Sequence, residues 1–191
     1  LLSSGTGRQR IELEHGRVQA RIWAPPGHFG ISSGQMQFVD LGCEFTLDRQ
    51  LDGSGSLSVQ SGWVQQFIGG REQLIPAGHS LQFSEHDSGT PLHQDATPAL
   101  RNALIALDDA LQGGHGMSRR DQLAAAVALA ARDEDQYTLM NLLLREPSLA
   151  NGPLYDRLAQ ALRMPANDAA HRAAWLKREH AAIETWWQRL P

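Results

Sequence analysis

Near residue 95 the apolar residues change their spacing from every second position to every third or fourth, and no other feature constrains the fold as much. A period of two belongs to half-buried strands and one near 3.6 to amphipathic helices, so the chain must segregate a β part from an α part. Composition follows the same line: residues 1–95 hold 14 of the 18 glycines and 3 alanines, whereas residues 96–191 hold 4 glycines and 21 alanines. The first part carries 6 arginines against 10 acids, and the second 11 basic against 11 acidic residues, for −4 overall. Neither part offers phosphates a basic surface, which excludes a polybasic nucleic-acid binder. At 41% hydrophobic residues the chain can hold a core. We expect a β-domain over residues 8–92 and an α-helical domain over 96–191.

Between Arg10 and Phe83, alternating runs end at Gly, Pro or Asp. Ile11 and Leu13 alternate with charges; Val18, Ala20 and Ile22 follow Gly16, and Pro25-Pro26-Gly27 ends that run. Met36 and Phe38 precede Gly42, and Cys43, Phe45 and Leu47 alternate with Glu44, Thr46 and Asp48. Asp52-Gly53-Ser54-Gly55 is turn chemistry, and Ser61-Gly62 separates Leu57-Ser58-Val59 from Trp63-Val64. Further strands are expected over 72–75 and 80–83. Seven to nine short strands predict an antiparallel sandwich, a roll or a short β-helix.

Four segments of this half carry a resemblance when taken in order. They are Gly16 to Pro26 (GRVQARIWAPP), Val39 to Leu47 (VDLGCEFTL), Leu57 to Val64 (LSVQSGWV) and Pro76-Ala77-Gly78. Together they resemble the FecR domain of membrane-anchored regulators of extracytoplasmic-function sigma factors, over roughly residues 8 to 90. The resemblance implies an upstream cytoplasmic segment that holds the sigma factor, followed by a membrane span. It also implies that the portion described by this sequence lies in the periplasm. The physical sense of the motifs stands without the family: Gly42 and Gly62 allow a bulge or a positive φ, and Pro25-Pro26 must end a strand.

From Thr97-Pro98 onward we expect five amphipathic helices in a bundle. Thr97 caps the first, whose Leu100, Leu104, Leu107 and Leu111 form a stripe ending at Gly113-Gly114. Ser118 is expected to cap the second, with Leu123, Val127 and Ala130. The third follows Asp133 and carries Tyr137, Met140, Leu143 and Leu144; the fourth carries Leu154, Leu158 and Leu162. The fifth spans about residues 167–189, with Ala174, Ile183 and Trp187 among its apolar positions. The FecR resemblance does not extend to these helices.

Chemistry is sparse. Cys43 is alone, which excludes an intrachain disulfide, and its alternating position predicts a buried, inert thiol. His79, His86 and His93 recur every seven residues where the strands give way to a loop, a spacing that does not converge on a metal. His28 and His115 lie in Pro/Gly turns. Ser54 lacks the setting of a nucleophile elbow, and Gly5-Thr6-Gly7 lacks the lysine of a phosphate loop. Asp108-Asp109 and the acids at 133–135 are explained by solvation and the helix dipole. We therefore expect no enzyme activity, no catalytic residues, no metal and no cofactor.

Aromatic residues favour contact over catalysis. Trp23 and Trp63 flank strand ends, and Trp186 and Trp187 cannot both face one core because adjacent helical positions point about 100° apart. These four are the candidate contact residues, first for packing between the two domains and second for a partner. No run approaches the roughly 18 apolar residues of a membrane span, and a start at Leu1-Leu2-Ser3-Ser4 reads as part of a longer polypeptide. The leading expectation is the extracytoplasmic sensing portion of an anti-sigma regulator, tethered to the inner membrane from upstream of Leu1. It would meet a protein partner in the envelope by strand addition or helix docking, and no nucleic acid. The alternative is an envelope module binding a glycan or cell-wall component.

Overall fold

The computed structural model describes residues 3–5, 8–23, 25–114, 116–165 and 168–191. It divides the chain into two compact units, 1–94 and 95–191. His115, expected in a turn, and the expected start of the last helix at 167 lie outside the described residues, as do parts of the Gly5-Thr6-Gly7 and Pro-rich segments.

The first unit is all β. Its strands are β1 (Ser3–Gly5), β2 (Arg8–Glu12), β3 (Gly16–Arg21), β4 (Phe29–Ser33), β5 (Met36–Asp40), β6 (Glu44–Arg49), β7 (Gly55–Ser61), β8 (Trp63–Ile68), β9 (Arg71–Pro76), β10 (His79–Phe83) and β11 (Leu92–His93). They form a six-stranded sheet, β1-β2-β4-β5-β8-β9, and a five-stranded sheet, β11-β10-β7-β6-β3. All neighbours pair antiparallel except β2 with β4, which run parallel. The chain changes sheet after every one or two strands, so the two inner faces close over one core. Ile31, Met36, Phe38, Val64 and Ile75 from one sheet meet Phe45, Leu47, Leu57, Val59 and Leu81 from the other. Each of these ten is at most 1% exposed. The burial alternates along β4, β5, β6 and β8 as a period of two requires. The strand count exceeds seven to nine because β1, β4 and β11 have weak alternation; Phe29-Gly30-Ile31-Ser32-Ser33 carries two apolar residues only.

The second unit is helical: α1 (Pro98–Gln112), α2 (Met117–Ala130), α3 (Gln136–Arg145), α4 (Pro153–Ala161), α5 (Ala169–Leu176) and α6 (His180–Trp187), with single 3-10 turns before α3 and α4. Thr97 caps α1 by accepting from the Leu100 N–H at 3.2 Å. Ser118 does not cap α2: the helix starts two residues earlier, at Met117, after Gly116 in the cap position. The expected fifth helix is two. α5 ends where Arg178 takes φ 57, and the Glu179 N–H closes back on the Ala174 carbonyl at 3.0 Å. That closure is the geometry of a helix stop that usually uses glycine. Leu100, Leu104, Leu107, Leu139, Leu142, Leu143, Leu154 and Leu158 form the core, each at most 3% exposed. Arg145 reaches Asp108 at 2.7 Å inside it, with both side chains largely buried.

Candidate functional site

The motif pieces, far apart in sequence, meet at one corner of the β unit. The Leu41 N–H donates to the Trp63 carbonyl at 3.0 Å, the Ala77 N–H to the Gly62 carbonyl at 2.9 Å, and the Gly78 N–H to the Val59 carbonyl at 2.9 Å. Asp40 closes the turn into β6: its Oδ1 accepts from the Cys43 N–H at 2.8 Å and from the Cys43 thiol at 2.5 Å. Gly62 takes φ +68, and a Cβ there would lie 2.0 Å from the Gly42 carbonyl oxygen. Val39-Asp40-Leu41-Gly42, Val59 to Trp63 and Pro76-Ala77-Gly78 are therefore one interlocked backbone unit, with Gly at the point of closest approach.

Beside this corner lies an open cleft of ≈ 400 Å³, bordered by Trp23, Arg21, Glu44 and Cys43. Trp23 is 83% exposed. The Arg21 guanidinium lies 5.0 Å from its ring centroid, a cation–π distance that holds the indole over the cleft. A second cleft, ≈ 420 Å³, opens at the other end of the same strand pair, between His15, Arg17, Asp48 and the exposed Leu51. Arg17 pairs with Asp48 at 2.8 Å and Arg21 stands 3.8 Å from Glu44, so each cleft carries a cross-strand ion pair.

Within their own units the four tryptophans differ in burial. Trp63 opens β8 half-buried, across from Pro76. Trp186 is 1% exposed and packs inside its own unit, with ring centroids 4.6 Å from Tyr155, 5.1 Å from His171 and 5.2 Å from Trp175. Trp187 is half-buried. His171 fixes this cluster: its Nε2–H donates to the Ala182 carbonyl at 3.1 Å, leaving Nδ1 to accept from the Tyr155 hydroxyl at 2.8 Å. Burial pushes the Tyr155 hydroxyl up to about 12, and the Arg172 guanidinium lies 4.3 Å over its ring.

Burial first, and then the Asp40 carboxylate, push the Cys43 thiol well above its ordinary range, so it stays protonated and is no nucleophile at neutral pH. Among the described residues no group of three or more His, Cys, Asp or Glu could hold a metal ion. The histidines do converge in part: His79 and His93 are register partners on β10 and β11, their rings 5.0 Å apart and edge-on. His86 points elsewhere, exposed beside Glu85. The pairing spans a 14-residue excursion, which no local spacing rule detects. Sequence reasoning also missed the clefts, because the β3–β6 register that makes them depends on pairing across a long connection.

No family model matches the chain, and no curated protein matches it. Two crystal structures of a provisionally assigned anti-sigma factor from Parabacteroides distasonis ATCC 8503 are similar at 17% identity, with TM-scores of 0.39 and 0.38. They cover 55% and 53% of this chain and 49% and 47% of theirs. The chain thus spans about half the length of these structural neighbours, and a likeness this distant carries no assignment of fold or function.

Proposed function

We propose that this chain is the extracytoplasmic sensing and relay portion of a membrane-tethered anti-sigma regulator of the FecR type, acting by protein contact and not by catalysis. The observation that supports this reading most is the corner described above. Three separated motifs that carry the FecR resemblance are bonded to one another backbone to backbone, so the resemblance concerns one physical object. Beside that object stand an exposed tryptophan and arginine over an open cleft. A relay needs such a contact surface, and it transmits only if the partner binds two states unequally.

The test uses the complete gene and a reporter of sigma-dependent transcription. Removing residues 8–191 should uncouple transcription from the inducing stimulus while the chain remains in the membrane. Unchanged induction would overturn the reading. Recovery of polysaccharide, and of no protein, by the fragment from envelope extract would replace it with glycan binding.

A further inference from the structure

Among the described residues the β unit has four sheet edges, and two of them are very short. β1 and β11 are three and two residues long. The segment that follows β10 reaches the side chains of β9: Gln73 donates to the Ser88 hydroxyl at 2.8 Å and the Gly89 carbonyl at 3.1 Å, and Arg71 pairs with Asp87. The fourth edge, β3, is six residues long and among the described residues pairs only with β6. Just past its end, the Ile22 N–H donates to the Cys43 carbonyl at 3.0 Å. Because antiparallel bonding alternates, Val18 and Ala20 also bond toward β6, while the N–H and C=O groups of Arg17, Gln19 and Arg21 face the open edge. An exposed strand of this length is a template for another strand.

The geometry points to β3 as the docking edge for an extended peptide segment of another protein, one with acidic residues four apart and apolar residues between them. This inference rests on the proposed contact relay and says which surface makes the contact. Three observations set the chemistry. Arg17, Gln19 and Arg21 form the outermost row of the outer face, and the two arginine side chains remain 71% and 67% exposed despite their partners on β6. A strand laid against β3 must face that row, and opposite charges directly across a sheet are favoured; β6 already shows the solution, with Asp48 opposite Arg17 and Glu44 opposite Arg21. On the inner face, Val18 and Ile22 are only partly buried against the core, so alternate apolar residues of the incoming strand would complete their burial. A second copy of this chain is a poor occupant. Antiparallel self-pairing with the fullest overlap centres on Gln19 and sets Arg17 opposite Arg21, like against like.

The probe is a fluorescein-labelled octapeptide with Glu at positions 2 and 6, Val at 3 and 5 and Thr elsewhere, titrated into the 191-residue chain by anisotropy. Its control has Lys at 2 and 6. The Glu peptide should bind about tenfold more tightly than the Lys peptide, as two cross-strand charge pairs allow. Gln19→Pro removes an outward N–H and no ladder bond to β6, a substitution that edges tolerate. It should weaken the Glu peptide about tenfold while leaving Cys43 as protected from thiol reagents as before. Arg17→Glu with Arg21→Glu should invert the preference. No binding of the Glu peptide, equal binding of both peptides, or full binding to the Gln19→Pro chain would each overturn the inference, as would a dimer that Gln19→Pro dissolves. In the full-length regulator, signalling that survives Gln19→Pro would remove β3 as the contact and leave the relay standing. The loss of signalling only on removal of residues 8–191 separates the two failures.

Discussion

Replacing Gly62 with Ala tests whether the motif corner is held by close backbone approach or merely by an unusual backbone angle. Both Gly62 and Gly69 have positive φ, +68 and +54. Beside Gly69 there is nothing within 4 Å, so a methyl group there meets only the left-handed penalty of roughly 1 kcal/mol. At Gly62 the same methyl group would sit 2.0 Å from the Gly42 oxygen, where real contacts stop near 3.0 Å. The obstacle is backbone on both sides, so no rotamer relieves it, and the corner joining β5–β6 to β7–β8 must open by about 1 Å. Overpacking of this kind adds about 1–3 kcal/mol, giving roughly 2 to 4 kcal/mol in all. A unit of this size holds on the order of 9 kcal/mol, so the variant should still fold in water. Cys43 supplies the assay, because it is the only cysteine and is buried in this unit. Pulsed thiol labelling along a urea series therefore reports opening of the β unit alone. With a slope of about 1.5 kcal/mol per molar urea, Gly62→Ala should lower the midpoint by about 2 M and Gly69→Ala by under about 1 M. Equal shifts would refute the close-approach reasoning and leave backbone angle as the whole effect.

In the helical unit, Trp186→Ala empties the centre of the Tyr155, His171 and Trp175 cluster and should cost about 3–5 kcal/mol, whereas Trp187→Ala should cost under about 1.5; helical circular dichroism on heating distinguishes them. Thr97→Ala should cost about 1 kcal/mol through loss of the α1 cap, and Ser118→Ala nothing, since Ser118 lies inside α2; equal losses would contradict the observed start of that helix. The raised Cys43 thiol gives the β unit a pH dependence. The unfolded thiol ionises from about pH 8.5 while the folded one stays protonated, so this stability is complete below that pH and falls by about 1.4 kcal/mol per unit above it. Urea midpoints read by circular dichroism at several alkaline pH values should show that slope, and Cys43→Ala should remove it.

The strands that were legible in the sequence are those whose two faces differ: Cys43, Phe45 and Leu47 alternate with polar residues, and each is at most 3% exposed. β4 escaped because its alternate inward residues include Ser33, which is 2% exposed and donates to the Leu13 carbonyl at 3.2 Å. A buried serine reads as a loop residue until its partner is known. The Asp52-Gly53-Ser54-Gly55 turn was readable for the opposite reason. Asp52 accepts from the Ser54 N–H at 2.9 Å and its hydroxyl at 2.6 Å, so the whole interaction lies within four residues. Of the proposed contact surface only Trp23 was legible, since the clefts and the edge of β3 are products of strand order.

The last two helices show the same limit at its sharpest. Trp175 and Trp186 are 11 residues apart, which on an unbroken helix returns them to nearly the same face but separates them by about 16 Å along the axis. Their rings are 5.2 Å apart. Only a break between them allows that, and Arg178 makes it by adopting φ 57, a conformation that costs an L-residue roughly 1 kcal/mol or more. Burial of two indoles, each 1% exposed, is large enough to offset that cost. The apolar positions Ala174, Ile183 and Trp187, read from the sequence as part of one helix, are half-buried here, and the helix is broken between the first and the other two. Neither glycine nor proline marks the break, so it follows from the packing of Trp175, Trp186 and Tyr155 and not from local propensity. Arg178→Gly should therefore stabilise the helical unit by about 1 kcal/mol, by relieving the strained angle where tertiary contacts already demand it. A loss of stability in that variant would show that Arg178 contributes through its side chain instead.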